Sequence, residues 1–268
     1  MIYFSPRDFF QMMGRCSDDQ SATYSCSRAA DVRSEGGRGL CHHVTVTEAE
    51  VKRLLLRQAY ENNKGSAVAF IDESTLPVNS SFGGTPFYLM AAYVVLVEDL
   101  DVMRDELVPV LDQRRFWHST EAHQSDDGRL AILTFANYIG DGAESIIVSI
   151  CSPIDVEDTN GERARRRCFH KLLSALSDGT FCDQVRLAIF EERKYPAQRS
   201  ADAMTVKTAI RDEIIDRRMQ VLPTSPAHER LLWLPDLVSF AFYQSRTGVR
   251  EDYLQPFGER VDLIELTP

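Results

Sequence analysis

Several features that would assign the chain to a broad class are missing from its 268 residues. No apolar run approaches the roughly 18 residues that a membrane-spanning helix requires. The N-terminal residues lack the basic and then apolar pattern of a secretory signal. The six cysteines contain no CxxC pair, a spacing used by many zinc and redox sites. We therefore expect a cytoplasmic protein without a membrane segment, whose cysteines are reduced thiols.

Common catalytic motifs are missing as well. The chain contains neither GxxxxGK[ST] nor GxGxxG, the glycine-rich sequences that cradle phosphates in two large groups of nucleotide-binding folds. It also has no GxSxG elbow, and no cysteine lies in surroundings typical of a nucleophile. The sequence therefore gives no support to these nucleotide-binding folds or to serine or cysteine nucleophiles.

Positive charge is in deficit. The chain has 30 Lys and Arg against 40 Asp and Glu, a formal net charge of -10. This balance argues against a generally basic surface for nucleic acid, although it permits a local basic groove. An acidic enzyme can also reach phosphodiesters through a bound divalent metal, which supplies the positive charge. The 44% of apolar residues is ordinary for a globular protein with a sizeable core.

Composition divides the chain into two parts. Residues 1–44 are predicted to be a flexible leader, because the segment from Cys16 to Gly39 is rich in Ser, Gly, Asp and Arg and has almost no large apolar side chains. Residues 45–268 are predicted to form one domain with an N-terminal helix. Thr47 and Glu50 form a capping box at its start, and apolar residues follow at helical spacing up to Asn62.

The rest of the chain alternates between strand and helix patterns and predicts an α/β fold. Two runs, Ala67 to Ile71 and Pro86 to Val97, favour a hairpin of a central strand and its neighbour. Two further strands are predicted at Ile146 to Cys151 and Val185 to Phe190. Helices are predicted at Asp99 to Leu111, Asp127 to Ile139, Asn160 to Leu176, Asp202 to Met219 and Leu234 to Tyr243. A proline-rich loop is expected after Met219.

Acidic residues stand where buried patterns end. Asp72 and Glu73 close the first strand, and Glu191 and Glu192 close a late one. Asp236 stands at the start of the last apolar helix. Carboxylates at the ends of neighbouring central strands can converge, and their oxygens suit Mg²⁺ or Mn²⁺. Acids also cap helices and end strands routinely, so spacing alone leaves both explanations open.

The order of these elements is the layout of a ribonuclease H-like fold. Four segments resemble the motifs of an uncharacterised bacterial and phage family, domain of unknown function 3800. They are FIDES (Phe70 to Ser74), FWHSTEAH (Phe116 to His123), LAIFEER (Leu187 to Arg193) and LPDLVSFAF (Leu234 to Phe242). The similarity covers roughly residues 66–243. It implies a mixed sheet flanked by helices and a metal-dependent nuclease or transposition-related activity.

The resemblance also implies roles for particular residues. Asp72, Glu191 and Asp236 would be the ligands of Mg²⁺ or Mn²⁺. In the hypothesis preferred below, Glu73, Glu121 or Glu192 would serve as auxiliary acids. Glu191 stands where the family usually has Asp, and Pro235 where it more often has Ala. These departures leave room for an altered metal geometry or a lost activity.

The segment that contains His118, Glu121 and His123 permits two interpretations. Glu121 could supply another metal ligand while His118 contacts substrate or assists proton transfer. The same residues could instead form a polar loop in which the histidines are solvated or hydrogen-bonded.

Basic residues also permit two interpretations. The first group, on a predicted helix, is Arg163, Arg165, Arg166 and Arg167, and the second, after the late acids, is Arg193 and Lys194. They could follow a nucleic-acid backbone, or the first group could form a solvated helix face beside neighbouring acids. The preferred hypothesis is a Mg²⁺- or Mn²⁺-dependent nuclease acting on DNA or RNA. The alternative is a catalytically inactive scaffold that binds a protein or nucleic-acid partner. The sequence does not predict the oligomeric state.

Overall fold

The computed structural model describes residues 47–81, 83–111 and 116–267. The chain divides into two compact units, residues 1–55 and residues 56–268. The leader predicted for residues 1–44 lies outside the described residues. Helix α1 (Glu48–Asn62) begins with the predicted capping box. The Thr47 N–H donates to Glu50 Oε2 at 2.8 Å, and the Glu50 N–H donates to Thr47 Oγ1 at 3.3 Å. Two N-terminal donors are thereby satisfied.

A six-stranded mixed sheet forms the centre of the fold, in the order β5-β4-β1-β2-β3-β6. Its strands are β1 (Ala67–Leu76), β2 (Phe87–Leu96), β3 (Ser145–Cys151), β4 (Val185–Glu191), β5 (Gln220–Thr224) and β6 (Val261–Leu266). Strand β2 is antiparallel to β1 and β3, and the other neighbours are parallel. The order from β3 to β5, with β2 alone reversed, is that of a ribonuclease H-like sheet. The predicted fold class and its first hairpin are therefore confirmed.

Helices cover both faces of this sheet. They are α2 (Leu100–Val110), α3 (Ser119–Ala122), α4 (Asp126–Asp141), α5 (Glu162–Asp178), α6 (Pro196–Arg211) and α7 (Trp233–Arg246). One hydrophobic core joins the sheet to α2, α4 and α7, and a second joins it to α5 and α6. Of the helices that the structure describes, none has the length and apolar character to cross a membrane. We call the two faces the α7 face and the α5 face.

Strand β1 supplies side chains to both cores in strict alternation. Val68 and Phe70 belong to the α7 core, and Ala69 and Ile71 belong to the α5 core. Successive side chains of a strand point to opposite faces. Asp72 therefore follows Phe70 onto the α7 face, and the next residue, Glu73, follows Ile71 onto the α5 face.

The predictions were wrong for residues 212–224 and missed the last strand, whereas the helix predicted from Leu234 to Tyr243 is confirmed within α7. Helix α6 ends at Arg211 instead of Met219, because the chain turns through Glu213, which has a φ of 56°. Met204 is 60% exposed and not part of the core. The expected proline-rich loop contains strand β5, and its Pro223 is tolerated because β5 is an edge strand. Strand β6, at the other edge, was not predicted either.

Candidate functional site

Two adjacent parallel strands bring the first pair of predicted acids together. The register of β1 and β4 pairs Phe70 with Ile189 and Ile71 with Phe190. Asp72 and Glu191 are therefore the next residues of the two strands, and each follows a residue of the α7 core by two positions. Both side chains are partly buried and lie side by side on the α7 face, where the parallel pairing of β1 with β4 ends. Glu191 is the last residue of β4, but Asp72 and Glu73 do not close β1 as predicted, because β1 continues to Leu76 in its pairing with β2.

Asp236 reaches the same place from α7, which packs across β1 and β2. Its carboxylate is buried, and it accepts hydrogen bonds at Oδ2 from the Ser119 N–H at 2.9 Å and the Ser119 hydroxyl at 2.6 Å. His118 Nδ1 lies 3.4 Å from Asp236 Oδ1. The Trp117 indole N–H donates to Ser119 Oγ at 3.0 Å. A short chain of hydrogen bonds therefore holds Asp236 in place.

Ser119 is the functional residue that sequence reasoning missed. It is completely buried, and its contact with Asp236 spans 117 residues of chain. The only sequence signal was its position directly after His118 in the segment FWHSTEAH. A buried serine that donates to a carboxylate fixes the orientation of that carboxylate, since the hydroxyl has no competing water.

The pKa values of all three carboxyl groups are raised. Burial raises the pKa of Asp72 well above its usual range, and the charges of Asp236 and Glu191 raise it further. Burial and the charge of Asp236 also raise the pKa of Glu191, against the opposing effect of His118. Burial raises the pKa of Asp236 too, while hydrogen bonds from Ser119 oppose that rise. Mutual effects of this kind require the three side chains to lie close together.

The donor set fits a hard divalent cation. Three carboxylates supply the oxygen ligands that Mg²⁺ and Mn²⁺ prefer. Burial raises the pKa of each, and the charges of neighbouring carboxylates add to the rise at Asp72 and Glu191, so a bound cation would stabilise their ionised forms. Over the described residues, no group of three or more His, Cys, Asp or Glu side chains is already arranged to hold one ion. Binding would therefore require the carboxylates of Asp72, Glu191 and Asp236 to turn toward a shared point.

Glu73 lies in different surroundings on the α5 face. Its Oε2 atom is 2.7 Å from Nε of Arg165, whose side chain is only 3% exposed. Arg165 also pairs with Asp202 of α6, and Arg193 NH2 lies 2.9 Å from the same Asp202 carboxylate. Arg193 in turn pairs with Glu162. Arg165 therefore does not belong to a solvated helix face, because it is the centre of a buried ion network. Its neighbours Arg163, Arg166 and Arg167 are exposed, as that interpretation expects.

The other candidates are less closely tied to the three acids. Glu192 Oε1 lies 4.0 Å from Nε of Arg199. Glu121 is exposed on α3, and its carboxylate forms no hydrogen bond or ion pair with any described residue. His123 packs against Phe240, and its Nδ1 atom lies 3.1 Å from the Tyr253 hydroxyl. The two interpretations therefore apply to different histidines. His118 lies beside the acids, whereas His123 is hydrogen-bonded and packs against the α7 core.

A cleft of about 450 Å³ opens beside the ends of β1 and β4. Its lining includes Asp72 and Glu191 from the carboxylate group. The remaining residues are Ile71, Glu73, Thr75, Tyr88, Met90, Asn160, Glu162, Arg165, Phe190, Glu192, Arg193, Lys194 and Gln198. The acids at the sheet ends therefore adjoin a space large enough for a small ligand.

With this geometry in place, the chain was compared with known proteins. No family model matches it, so membership of the domain of unknown function 3800 family stays a prediction. No curated protein matches it either. Two solved structures of Bst-RNase HIII are similar in fold. A mutant is 13% identical, with a TM-score of 0.38 over 84% of this chain and 60% of that one.

The second structure, Bst-RNase HIII in complex with Mn²⁺, is 12% identical. Its TM-score is 0.36 over 75% of this chain and 56% of that one. The chain thus spans less than two thirds of the length of either structure. These similarities are too low to transfer an activity, and the ribonuclease H-like fold is assigned here from the strand order itself.

Proposed function

We propose that this chain is a divalent-metal-dependent nuclease that hydrolyses phosphodiester bonds of DNA or RNA with Mg²⁺ or Mn²⁺. The observation that carries the proposal is that Asp72, Glu191 and Asp236 lie together where the parallel pairing of β1 with β4 ends. Over the described residues, no Lys or Arg forms an ion pair with any of the three. Buried acids whose pKa values are perturbed by burial and by one another's charges are typical of functional sites.

Each residue has a defined task in this proposal. Asp72, Glu191 and Asp236 would hold the cation, which would supply Lewis acidity for the attack of water on a phosphodiester. Ser119 keeps Asp236 turned toward the site through two hydrogen bonds. His118 lies against Asp236 with 47% of its side chain exposed. It is therefore positioned to exchange a proton with a substrate oxygen while Asp236 orients its ring.

The auxiliary acids separate into two kinds. Glu192 lies among the residues that line the cleft and can accept a hydrogen bond from water or substrate. Glu73 is already paired with Arg165, so we assign it a structural part in this proposal. Glu121 is exposed and can act only if the bound substrate approaches α3. The cytoplasmic location and the choice between DNA and RNA stay predictions.

A second candidate is a catalytically inactive scaffold that binds a protein or nucleic-acid partner. One observation favours it: over the described residues, no group of three ligands is already arranged to hold a metal. The glutamate at position 191, where the resemblance implies an aspartate, points in the same direction because its longer side chain changes the ligand position. The two candidates differ in whether the full chain cuts nucleic acid.

The test is cleavage of labelled single- and double-stranded DNA and RNA by the full chain with Mg²⁺ or Mn²⁺. We expect cutting that EDTA and Asp72→Asn both abolish. Asp141→Asn, the same change at an exposed residue at the end of α4, should leave cutting unchanged. Absence of cutting on every substrate, or cutting that survives Asp72→Asn, would favour the scaffold.

A further inference from the structure

The cleft beside β1 and β4 has features that the proposed hydrolysis does not use. Its sheet side is apolar and consists of Ile71, Met90 and Phe190, each of which is buried in the α5 core. Its open side carries the side-chain amides of Asn160 and Gln198. An apolar surface that faces groups able to donate and accept hydrogen bonds suits a flat heteroaromatic ring with polar edges.

The charges of the cleft are distributed unevenly. Arg165 and Arg193 are committed to the ion network with Glu73, Glu162 and Asp202, as described above. The Arg165 guanidinium nevertheless lines the cleft while 97% buried. Its Nε atom makes no hydrogen bond to a described residue, despite lying 2.7 Å from Glu73 Oε2. At that distance the two groups form an ion pair, and the Nε atom, which is not exposed, is not available to a ligand.

Lys194 is the basic lining residue that forms no ion pair with a described residue. Its Nζ atom lies 5.8 Å from the ring centroid of Tyr195, which is 59% exposed. Glu191 and Lys194 are three residues apart, so their Cα atoms are separated by at most about 11 Å. The cleft thus has a cation beside an exposed aromatic ring, and Asp72 and Glu191 are among its other lining residues.

We propose that this cleft binds one unpaired nucleotide of a single-stranded DNA or RNA, next to the bond that is cut at the carboxylates. The inference rests on the proposed function and deepens it by naming the substrate class. The base lies on the apolar side, with its edge toward the amides of Asn160 and Gln198. The flanking phosphate contacts Lys194, and the next base stacks on Tyr195. A volume of about 450 Å³ accommodates one nucleotide, since small-molecule pockets start at about 300 Å³.

A base within a duplex cannot enter this space. Its edge is occupied by its partner and its faces by the neighbouring pairs, so unstacking and unpairing must precede binding. That cost falls on a duplex and is small for a single strand. Selectivity for unpaired nucleic acid therefore follows from the shape of the cleft, while stacking and one phosphate contact provide affinity.

Fluorescence anisotropy with the full chain tests the inference without relying on cleavage. The probes are labelled 12-nucleotide DNA and RNA single strands and the matching blunt duplexes, with Ca²⁺ in place of Mg²⁺. Single strands should bind at least about tenfold more tightly than duplexes, because unpairing costs a few kcal/mol. Tyr195→Ala should weaken single-strand binding at least about fivefold, the lower end for loss of base stacking. Lys194→Gln should lower the slope of log affinity against log salt by about 0.7, the value for one single-strand phosphate contact.

Two matched variants serve as controls. Phe181→Ala removes another exposed aromatic ring, near the start of β4 and on the order of 20 Å from its end. Lys207→Gln removes another exposed lysine, on α6 but outside the cleft. Both should bind single strands like the wild type. Equal affinity for duplexes and single strands, or equal losses in Tyr195→Ala and Phe181→Ala, would overturn the inference.

The two proposals fail in different ways. Selective binding of single strands by a chain that cuts nothing would remove the nuclease and leave the nucleotide site intact. Metal-dependent cutting by a chain that binds duplexes equally well would keep the nuclease and remove the nucleotide site.

Discussion

Two consecutive residues of β1 lie on opposite faces of one sheet and in opposite electrostatic surroundings. Asp72, on the α7 face, lies with Glu191 and Asp236, and none of the three forms an ion pair with a described Lys or Arg. Glu73, on the α5 face, lies 2.7 Å from the buried Arg165. A single step along the strand therefore separates acids without basic partners from acids that have them.

The difference indicates what each face does. A buried ion pair with both partners present is complete without a ligand and ties the helices to the sheet, although losing one partner is costly. Carboxylates that raise the pKa values of one another are unfavourable when ionised, unless a cation joins them. We infer that the ion network of Glu73, Arg165 and Asp202 on the α5 face is structural and that the carboxylate group on the α7 face is functional. Variants of the two faces should therefore separate stability from activity.

The largest expected effect is on activity at the α7 face. Asp72→Asn should lower the kcat/KM of metal-dependent cleavage by about 10³-fold, the upper range for losing one preorganised electrostatic contact. Glu73→Gln should lower it by at most about tenfold, a typical loss for an indirect partner of a metal ligand. Cleavage rates of the two variants under identical metal concentrations measure the difference. Comparable losses in both would show that the two faces do not differ in function.

The next effect is on stability at the α5 face. Arg165→Met should lower the free energy of unfolding by about 3–5 kcal/mol, because it leaves the buried acids of the network without their partner. Urea unfolding followed by circular dichroism gives the value. Arg166→Met, on the same helix but exposed, should change it by less than about 0.5 kcal/mol. If the two variants unfold alike, the network contributes nothing particular to stability.

A smaller effect is expected at Ser119, which contacts Asp236 but neither Asp72 nor Glu191. Ser119→Ala removes the hydroxyl donor and keeps the backbone N–H. It should weaken Mn²⁺ binding by about tenfold, the lower range for loss of a hydrogen bond to a metal ligand. Titration calorimetry with Mn²⁺ measures the affinity, and Ser200→Ala, on the exposed side of α6, is the control. Unchanged affinity in Ser119→Ala would remove Ser119 from the site.

The sequence predicted the centre of the fold better than its edges. Strands β1 to β4 were predicted because each is an apolar run long enough to be buried. The edge strand β5 has only five residues, one of them Pro223, and gives no such signal. The end of α6 was missed because apolar residues at helical spacing continue to Ile214 and Ile215, beyond the turn at Glu213. Local periodicity does not report where tertiary packing turns the chain.

The candidate site could also be predicted only in part from local sequence patterns. Asp72, Glu191 and Asp236 could be identified because acids interrupt apolar patterns within a few residues. The partners Ser119 and Arg165 could not be identified in this way. Ser119 contacts a residue 117 positions away, and Arg165 stands in a run of arginines that resembles a solvated surface. Charge compensation depends on long-range contacts, so the contrast between Asp72 and Glu73 emerged only from the folded chain.

The smallest expected effect is a pH dependence of the metal-free protein. The pKa values of Asp72, Glu191 and Asp236 are raised by folding, whereas unfolded carboxyls titrate near about 4. The folded chain therefore binds more protons than the unfolded chain. The contribution of these groups to the stability of the folded state falls as the pH rises from about 4 through their raised pKa values. Asp72→Asn removes one such group. Its Tm in EDTA should equal that of the wild type near pH 4 and exceed it by a few degrees at pH 8, since about 1 kcal/mol corresponds to roughly 2–4 °C for a domain of this size.

Mg²⁺ at pH 8 should then raise the Tm of the wild type and have little effect on Asp72→Asn, because bound ligand stabilises only a chain that can hold it. Using the difference between the two proteins cancels the titration of other groups, such as the partly buried Asp216, whose pKa is lowered to about 2 by Arg218. A Tm of Asp72→Asn that falls below the wild type as the pH rises would mean that Asp72 is stabilised as an anion, which would reverse the contrast between the two faces.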